Sequence, residues 1–98
     1  MIGMAFGKQA EKPGLLFEGP NFKVMKKVGQ AGDTVEKHNH PGYNIVFTVV
    51  NGQVQVVLND VEEYFLVPGK VLQFDGDNYV KPTFIEDGAI VVTLVEKA

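Results

Sequence analysis

The chain has 98 residues, is 45% apolar and carries a formal net charge of −3, so it has room for one domain and lacks the basic surface that nucleic-acid binding requires. It contains no cysteine and no serine, which excludes disulfides, thiolate metal sites and the Ser-His-Asp and Cys-His catalytic arrangements. The apolar runs are too short to span a bilayer, so we expect a cytoplasmic protein with neither a membrane nor a nucleic acid as partner.

Residues 1–14 come first along the chain, and they are too short and too rich in glycine for a stable helix. We expect a tail or an arm there and a single domain over residues 15–98. In that domain, runs rich in Val, Phe, Ile and Tyr alternate about every 8 to 12 residues with turn sequences: EGPN, GQAGD, HPGY, VNGQ, LNDVE, VPGK, DGDN and EDGA. The rhythm predicts an all-β sandwich or barrel with little or no helix.

Two positions in these runs give more specific backbone predictions. Asn51 and Gly52 lie between two β-branched runs and can adopt the positive φ angles of a type I′ turn, which predicts a hairpin between the flanking strands. Pro82 interrupts the run YVKPTFIE, and proline cannot donate to a strand ladder. We therefore expect an edge strand or a bulge at Pro82.

The only two histidines, His38 and His40, are separated by one residue in the stretch EKHNHPGYN. In a regular strand they point to the same face, with Cα atoms roughly 6.5 to 7 Å apart, and their rings can reach one cation. Glu36 has the same parity, whereas Lys37 and Asn39 point away. The alternative is that both rings are solvated or hydrogen-bonded near the mouth of a barrel. Spacing alone leaves both interpretations open.

The stretch from Gly32 to His40 reads glycine, five residues, histidine, one residue, histidine. It resembles the first motif of the cupin superfamily, and the similarity in pattern runs from about Phe22 to Glu96. The segment that begins at Gly69 resembles the second motif of the same superfamily. The resemblance implies a double-stranded β-helix, the cupin jelly-roll barrel, in which the two histidines face inward.

The chain departs from the cupin motifs at two positions. The glutamate expected after the histidine pair is replaced by Asn44 or Ile45, depending on the spacer, and Val80 lies roughly where a third histidine is expected. The resemblance implies a divalent metal (Zn, Ni, Fe, Mn or Cu) on His38 and His40. The carboxylates that could complete a two-histidine, one-carboxylate site are Glu36, Asp75 and Asp77, and the weaker oxygen donors are Asn44, Tyr43 and Tyr79.

The same resemblance suggests a ligand pocket in the barrel mouth, for which Tyr43, Gln73 and Tyr79 are the polar candidates. We expect a small polar metabolite there, beside the metal. An enzyme of this kind would be a metal-assisted dioxygenase, isomerase or lyase. The competing hypothesis is a non-catalytic, metal-free binding or sensor module. Cupins of this size commonly pair, and a homodimer would cover edge strands.

Overall fold

A computed structural model describes residues 6–98, which form eight β-strands and no helix. The strands are β1 (Gly14–Glu18), β2 (Phe22–Gly29), β3 (Tyr43–Asn51), β4 (Val54–Leu58), β5 (Glu62–Leu66), β6 (Val71–Asp75), β7 (Val80–Phe84) and β8 (Gly88–Glu96). Every turn sequence named above lies at a junction between these strands, because glycine, proline, Asn and Asp favour turn geometry over a ladder. The all-β prediction is confirmed.

The strands pair into two antiparallel sheets. Sheet 1 has five strands in the order β1-β2-β8-β3-β6, and sheet 2 has three in the order β5-β4-β7. The longest ladders join β8 to β2 and to β3, so β8 lies at the centre of sheet 1. This arrangement of two sheets is consistent with a jelly-roll barrel, as predicted.

Alternate residues of the strands fill the space between the sheets. In β4 the residues Val54, Val56 and Leu58 are buried, and the residues between them are only partly covered. In sheet 1, Ile45 of β3 and Ile90 of β8 are each 1% exposed. This period of two is what a strand with one covered face requires, and burial of these side chains is the main stabilising contribution to the fold.

The hairpin predicted at Asn51 and Gly52 does not form. β3 and β4 belong to different sheets, and only Gly52 of the two residues has a positive φ, at 82°. A Cβ at Gly52 would lie 2.5 Å from the carbonyl oxygen of Asp87, so the turn also requires a residue without a side chain. The local sequence is suited to a tight turn, but β3 pairs within sheet 1 and β4 pairs within sheet 2.

Two consecutive residues with positive φ angles occur instead in the next connection, from β4 to β5. Asn59 and Asp60 have φ angles of 52° and 61°, and the N–H of Val61 donates to the carbonyl of Leu58 at 3.1 Å. Positive φ at both central residues is what a type I′ turn requires, and Asn and Asp tolerate it better than most residues. β4 and β5 are the strands that form the hairpin.

The predicted N-terminal arm is described only in part, because residues 1–5 lie outside the described residues. Residues 6–13 form no strand, and β1 begins at Gly14. The Lys26 amino group donates to the Glu11 carbonyl at 2.9 Å, which holds this segment against β2. No helix in residues 6–98 is long and apolar enough to cross a membrane.

Candidate functional site

The histidine pair lies on an extended segment beside β7, one of the two outer strands of sheet 2. The Val35 N–H donates to the Pro82 carbonyl at 2.9 Å, and His38 and Val80 exchange two backbone hydrogen bonds of 3.1 and 2.8 Å. Because β7 is an edge strand of the sheet, the prediction for Pro82 is confirmed.

This segment is not a regular strand. Its two bridges pair Thr34 with Thr83 and His38 with Val80, so four steps along the segment match three steps along β7. The extra residue is a β-bulge, a feature that interrupts the alternation of side chains and re-aims those on either side of it. The alternation of side chains that predicted Glu36 on the same face as the histidines therefore does not hold across the bulge.

His38 and His40 both line one cavity of about 460 Å³. Three inward residues of β8 (Ile90, Val92 and Leu94) form part of its wall in sheet 1, together with Ile45 and Phe47 of β3. Val80 and Pro82 of β7 line it from sheet 2. The cavity is therefore a mainly apolar space between the two sheets, and the imidazoles are among its few polar groups.

The two rings contact each other edge to face inside this cavity. Their centroids are 4.8 Å apart and their planes are 87° apart. The Nδ1 atom of His38 lies 2.6 Å from the Glu36 carbonyl oxygen. A carbonyl can only accept, so Nδ1 carries the proton, and in the neutral ring Nε2 is left as an acceptor.

The backbone of His40 is fixed by Gly76, the buried glycine that follows β6. The His40 N–H donates to the Gly76 carbonyl at 2.8 Å, and the Gly76 N–H donates to the Tyr43 carbonyl at 2.7 Å. Burial lowers the pKa of the His40 ring below its ordinary value, and the neighbouring His38 lowers it further. The His40 ring is therefore uncharged at neutral pH.

The other metal candidates near the motif lie outside this cavity. Glu36 is exposed, and its backbone carbonyl accepts the hydrogen bond from His38 Nδ1. Asn44 is half-buried and pairs with Asp75 and Val95, next to the inward Ile45 in β3. Its side chain consequently points to the outer face of sheet 1, opposite the histidines.

The two aspartates near the end of β6 are bound by a lysine. Lys97 Nζ lies 2.7 Å from an Asp75 carboxylate oxygen and 3.2 Å from one of Asp77. The hydrogen bond from Lys97 lowers the pKa of Asp75, and the Asp77 backbone N–H, which donates to the Asp75 carboxylate at 2.8 Å, lowers it further. These carboxylates fasten the C-terminal residues to the β6–β7 turn and do not join the histidines.

The three residues expected in the ligand pocket separate in the structure. Tyr43 packs against the buried core at the start of β3, but it is not part of the cavity wall. Gln73 lies on the outer face of sheet 1, because its neighbour Phe74 points inward. Tyr79 is 46% exposed, and the Lys37 amino group lies 5.5 Å from its ring centroid. The register assumed for the second motif misplaces Gln73 and Tyr79.

The donor set around the two imidazoles falls short of a protein-built metal site. Among residues 6–98, no three His, Cys, Asp or Glu side chains come together in a way that could hold an ion. A tetrahedral or two-histidine, one-carboxylate site needs at least one further protein donor. The residues present therefore do not fit the complete metal site that the resemblance implies.

Most of the apolar cavity wall was missed by reasoning from the sequence. Ile90, Val92 and Leu94 share one parity within GAIVVTLVEK, and this alternation was a usable signal. Val35 carried no such signal, because it lies on the bulged segment. Met25 lines the cavity although it is 41% exposed, which places it at the opening.

Solved structures with a similar fold include several cupins. An RmlC-like cupin protein from Desulfovibrio desulfuricans matches with a TM-score of 0.78 at 18% identity, over 97% of this chain and 97% of that chain. KdgF from Halomonas sp. matches with a TM-score of 0.77 at 18% identity, over 86% and 76% of the two chains. The cupin domain of Schizosaccharomyces pombe Cnp3 gives 0.75 at 18% identity, over 85% and 62%.

No protein-family model and no curated protein matches this chain. At the identities given above, the likeness to the solved structures concerns the fold alone.

Proposed function

We propose that this chain, which has the cupin fold, is a binding module that holds a small organic molecule in the cavity between its sheets. The observation that supports this is the meeting of His38 and His40 with an apolar wall in one space of about 460 Å³. Small-molecule sites are typically concave, mostly apolar and roughly 300 to 1,000 Å³ in volume, with a few polar groups that orient the ligand.

A divalent cation on the two histidines is the alternative occupant. The hydrogen bond from His38 Nδ1 to the Glu36 carbonyl favours it, because metal-ligating histidines usually donate their other ring N–H in this way. The nearby carboxylates do not favour it, because Asp75 and Asp77 are engaged by Lys97. The proposed binding therefore uses the imidazoles directly and no metal.

The titratable groups around the cavity also favour binding over catalysis. They are His38, His40, Lys26 and Lys27, and the Lys26 amino group is bonded to the Glu11 carbonyl. An acid and base pair of matched pKa values, or a nucleophile beside a base, is what general acid–base or covalent chemistry needs. The cavity wall described here supplies two lysines and an edge-to-face imidazole pair.

Fragment screening by thermal shift and NMR would test the proposal. A fragment at a hundred times its dissociation constant stabilises the folded state by about 2.7 kcal/mol, which for a domain of this size raises Tm by roughly 10 to 20 °C. We expect hits to shift the imidazole resonances of His38 and His40. Met25→Trp, at the exposed opening of the cavity, should reduce binding with little effect on folding.

The metal-free part of the proposal has its own control. Chelator treatment should leave fragment affinity and Tm unchanged, because no cation takes part. Near-stoichiometric transition metal in the purified protein, lost in the His38→Ala/His40→Ala variant, would overturn that part. Hits that shift only resonances outside the cavity, and that are insensitive to Met25→Trp, would overturn the binding site itself.

A further inference from the structure

The hydrogen-bonding character of the histidine pair limits what the cavity can recognise. His38 donates through Nδ1 to the Glu36 carbonyl at 2.6 Å, which leaves Nε2 of the neutral ring as an acceptor. An acceptor in an apolar cavity needs a donor from the ligand, because an unpaired polar group there carries a desolvation cost. A ligand that covers His38 Nε2 is therefore favoured when it brings an O–H or N–H group to this atom.

His40 supplies the complementary half of this recognition. Its ring lies edge to face with His38, at a centroid separation of 4.8 Å, and makes no side-chain hydrogen bond to any of residues 6–98. In its neutral form this ring has one N–H donor and one acceptor. A group that both donates and accepts can satisfy both rings at once.

The rest of the cavity selects against a charged ligand. Around the pair the wall is aliphatic and aromatic, including Phe74, Val80 and Leu94. The chain has no arginine, so no guanidinium is present to grip a carboxylate or phosphate through two hydrogen bonds. Lys26 is bonded to the Glu11 carbonyl, and Lys27 is exposed. A carboxylate or phosphate placed in this cavity would lose its hydration, and the cations in the wall are Lys26 and Lys27, which are point charges and not two-point donors.

We propose that the ligand is a compact, mainly apolar molecule with one hydroxyl group, a phenol or a cyclic alcohol, whose hydroxyl donates to His38 Nε2 and accepts from the His40 ring N–H. The inference rests on the proposed function, since it assumes that the cavity binds a small molecule. It replaces the polar metabolite expected from the sequence with an amphipathic one.

Three probes with the same skeleton test the hydroxyl: 4-tert-butylphenol, its methyl ether 4-tert-butylanisole, and 4-tert-butylbenzoate. Dissociation constants are measured at neutral pH by NMR titration of the cavity resonances. We expect the phenol to bind about tenfold or more tightly than the ether, because the ether leaves the His38 acceptor unpaired. The benzoate should bind more weakly than the phenol.

A substitution and a spectroscopic measurement make the test specific to His38. His38→Phe keeps a ring but removes the acceptor, so it should bring the affinity for the phenol down to that for the ether while leaving the ether nearly unchanged. Long-range ¹⁵N–¹H spectra of the unaltered protein report the tautomer without any substitution. They should show His38 protonated at Nδ1.

The outcomes separate this inference from the proposed function. Equal affinities for the phenol and the ether, tighter binding of the benzoate, or a His38 ring protonated at Nε2 would each overturn the hydroxyl recognition and leave cavity binding standing. Failure of both neutral probes to shift any cavity resonance would overturn the inference and count against the proposed function as well.

Discussion

Replacing Gly76 with alanine should loosen the loop that carries His40 and destabilise the whole domain. A Cβ at Gly76 would lie 2.5 Å from the Tyr43 carbonyl oxygen and nearer still to the His40 carbonyl oxygen. Both obstacles are backbone atoms, so no side-chain rotation relieves the contact. The loop from His40 to Tyr43 has to move away from the end of β6.

The size of the effect follows from the hydrogen bonds that such a movement breaks. The His40 N–H donates to the Gly76 carbonyl at 2.8 Å, and the Gly76 N–H donates to the Tyr43 carbonyl at 2.7 Å. Each bond contributes about 0.5 to 1.5 kcal/mol, and a buried group left unpaired costs a further 1 to 3 kcal/mol. We expect Gly76→Ala to lower the free energy of unfolding by about 2 to 4 kcal/mol.

Urea unfolding at neutral pH would measure this loss, and two other glycines serve as controls. Gly7→Ala introduces a Cβ with nothing within 4 Å and should change stability little. Gly69→Ala also meets nothing within 4 Å, but its φ of 98° imposes backbone strain of about 1 to 2 kcal/mol. Gly76 does not have a positive φ, so its loss would come from the contact alone.

A second measurement connects the loop to the histidines. If Gly76 holds His40 in place, Gly76→Ala should expose the ring and raise its pKa toward the ordinary value, as read from NMR titration. A Gly76→Ala protein as stable as Gly7→Ala, with an unchanged His40 titration, would refute the reasoning.

Three further predictions follow from burial and charge. Ile90 is 1% exposed, so Ile90→Val should lower the free energy of unfolding in urea by about 0.5 to 1.5 kcal/mol. Ile85 is 42% exposed, so Ile85→Val should change this free energy by no more than about 0.5 kcal/mol. Equal effects would contradict the assignment of Ile90 to the core. The unfolded state binds a proton at His40 more readily than the folded state does. Stability should therefore fall as the pH drops below about 6.5 and should level off below the pKa of His40 in the folded state. If stability depends on pH in the same way in His40→Gln, another group is responsible. Lys97→Met should raise the pKa of Asp75 toward its ordinary value in a carboxylate NMR titration, and an unmoved titration would show that the ion pair is not formed in solution.

The strands were predictable from the sequence because their signals are local. Turn residues recur between β-branched runs, and each turn sequence lies where a strand begins or ends. The partners of those strands were not predictable in the same way. Asn51-Gly52 has the composition of a hairpin turn, but β3 pairs with β8, which begins almost forty residues later, and not with β4.

The candidate site shows the same division. The cupin resemblance places His38 and His40 toward the barrel interior, and both residues line the cavity, although the segment that carries them is not a regular strand. Glu36 was placed by alternation, and the one-residue bulge between Thr34 and His38 breaks that alternation. The bulge comes from pairing with β7, so the sequence around Glu36 gives no sign of it.

The bulged segment and Pro82 also protect the outer edge of β7 from other chains. A free edge with regular spacing is a template on which a foreign strand can add, the first step of fibril growth. Here residues 34–38 cover the edge, and this stretch is one residue longer than the stretch 80–83 of β7 beside which it lies. Pro82 has no N–H to donate to another strand. Among residues 6–98, the other strands at sheet edges are β1, β5 and β6, and these are the strands through which copies of this chain could join edge to edge.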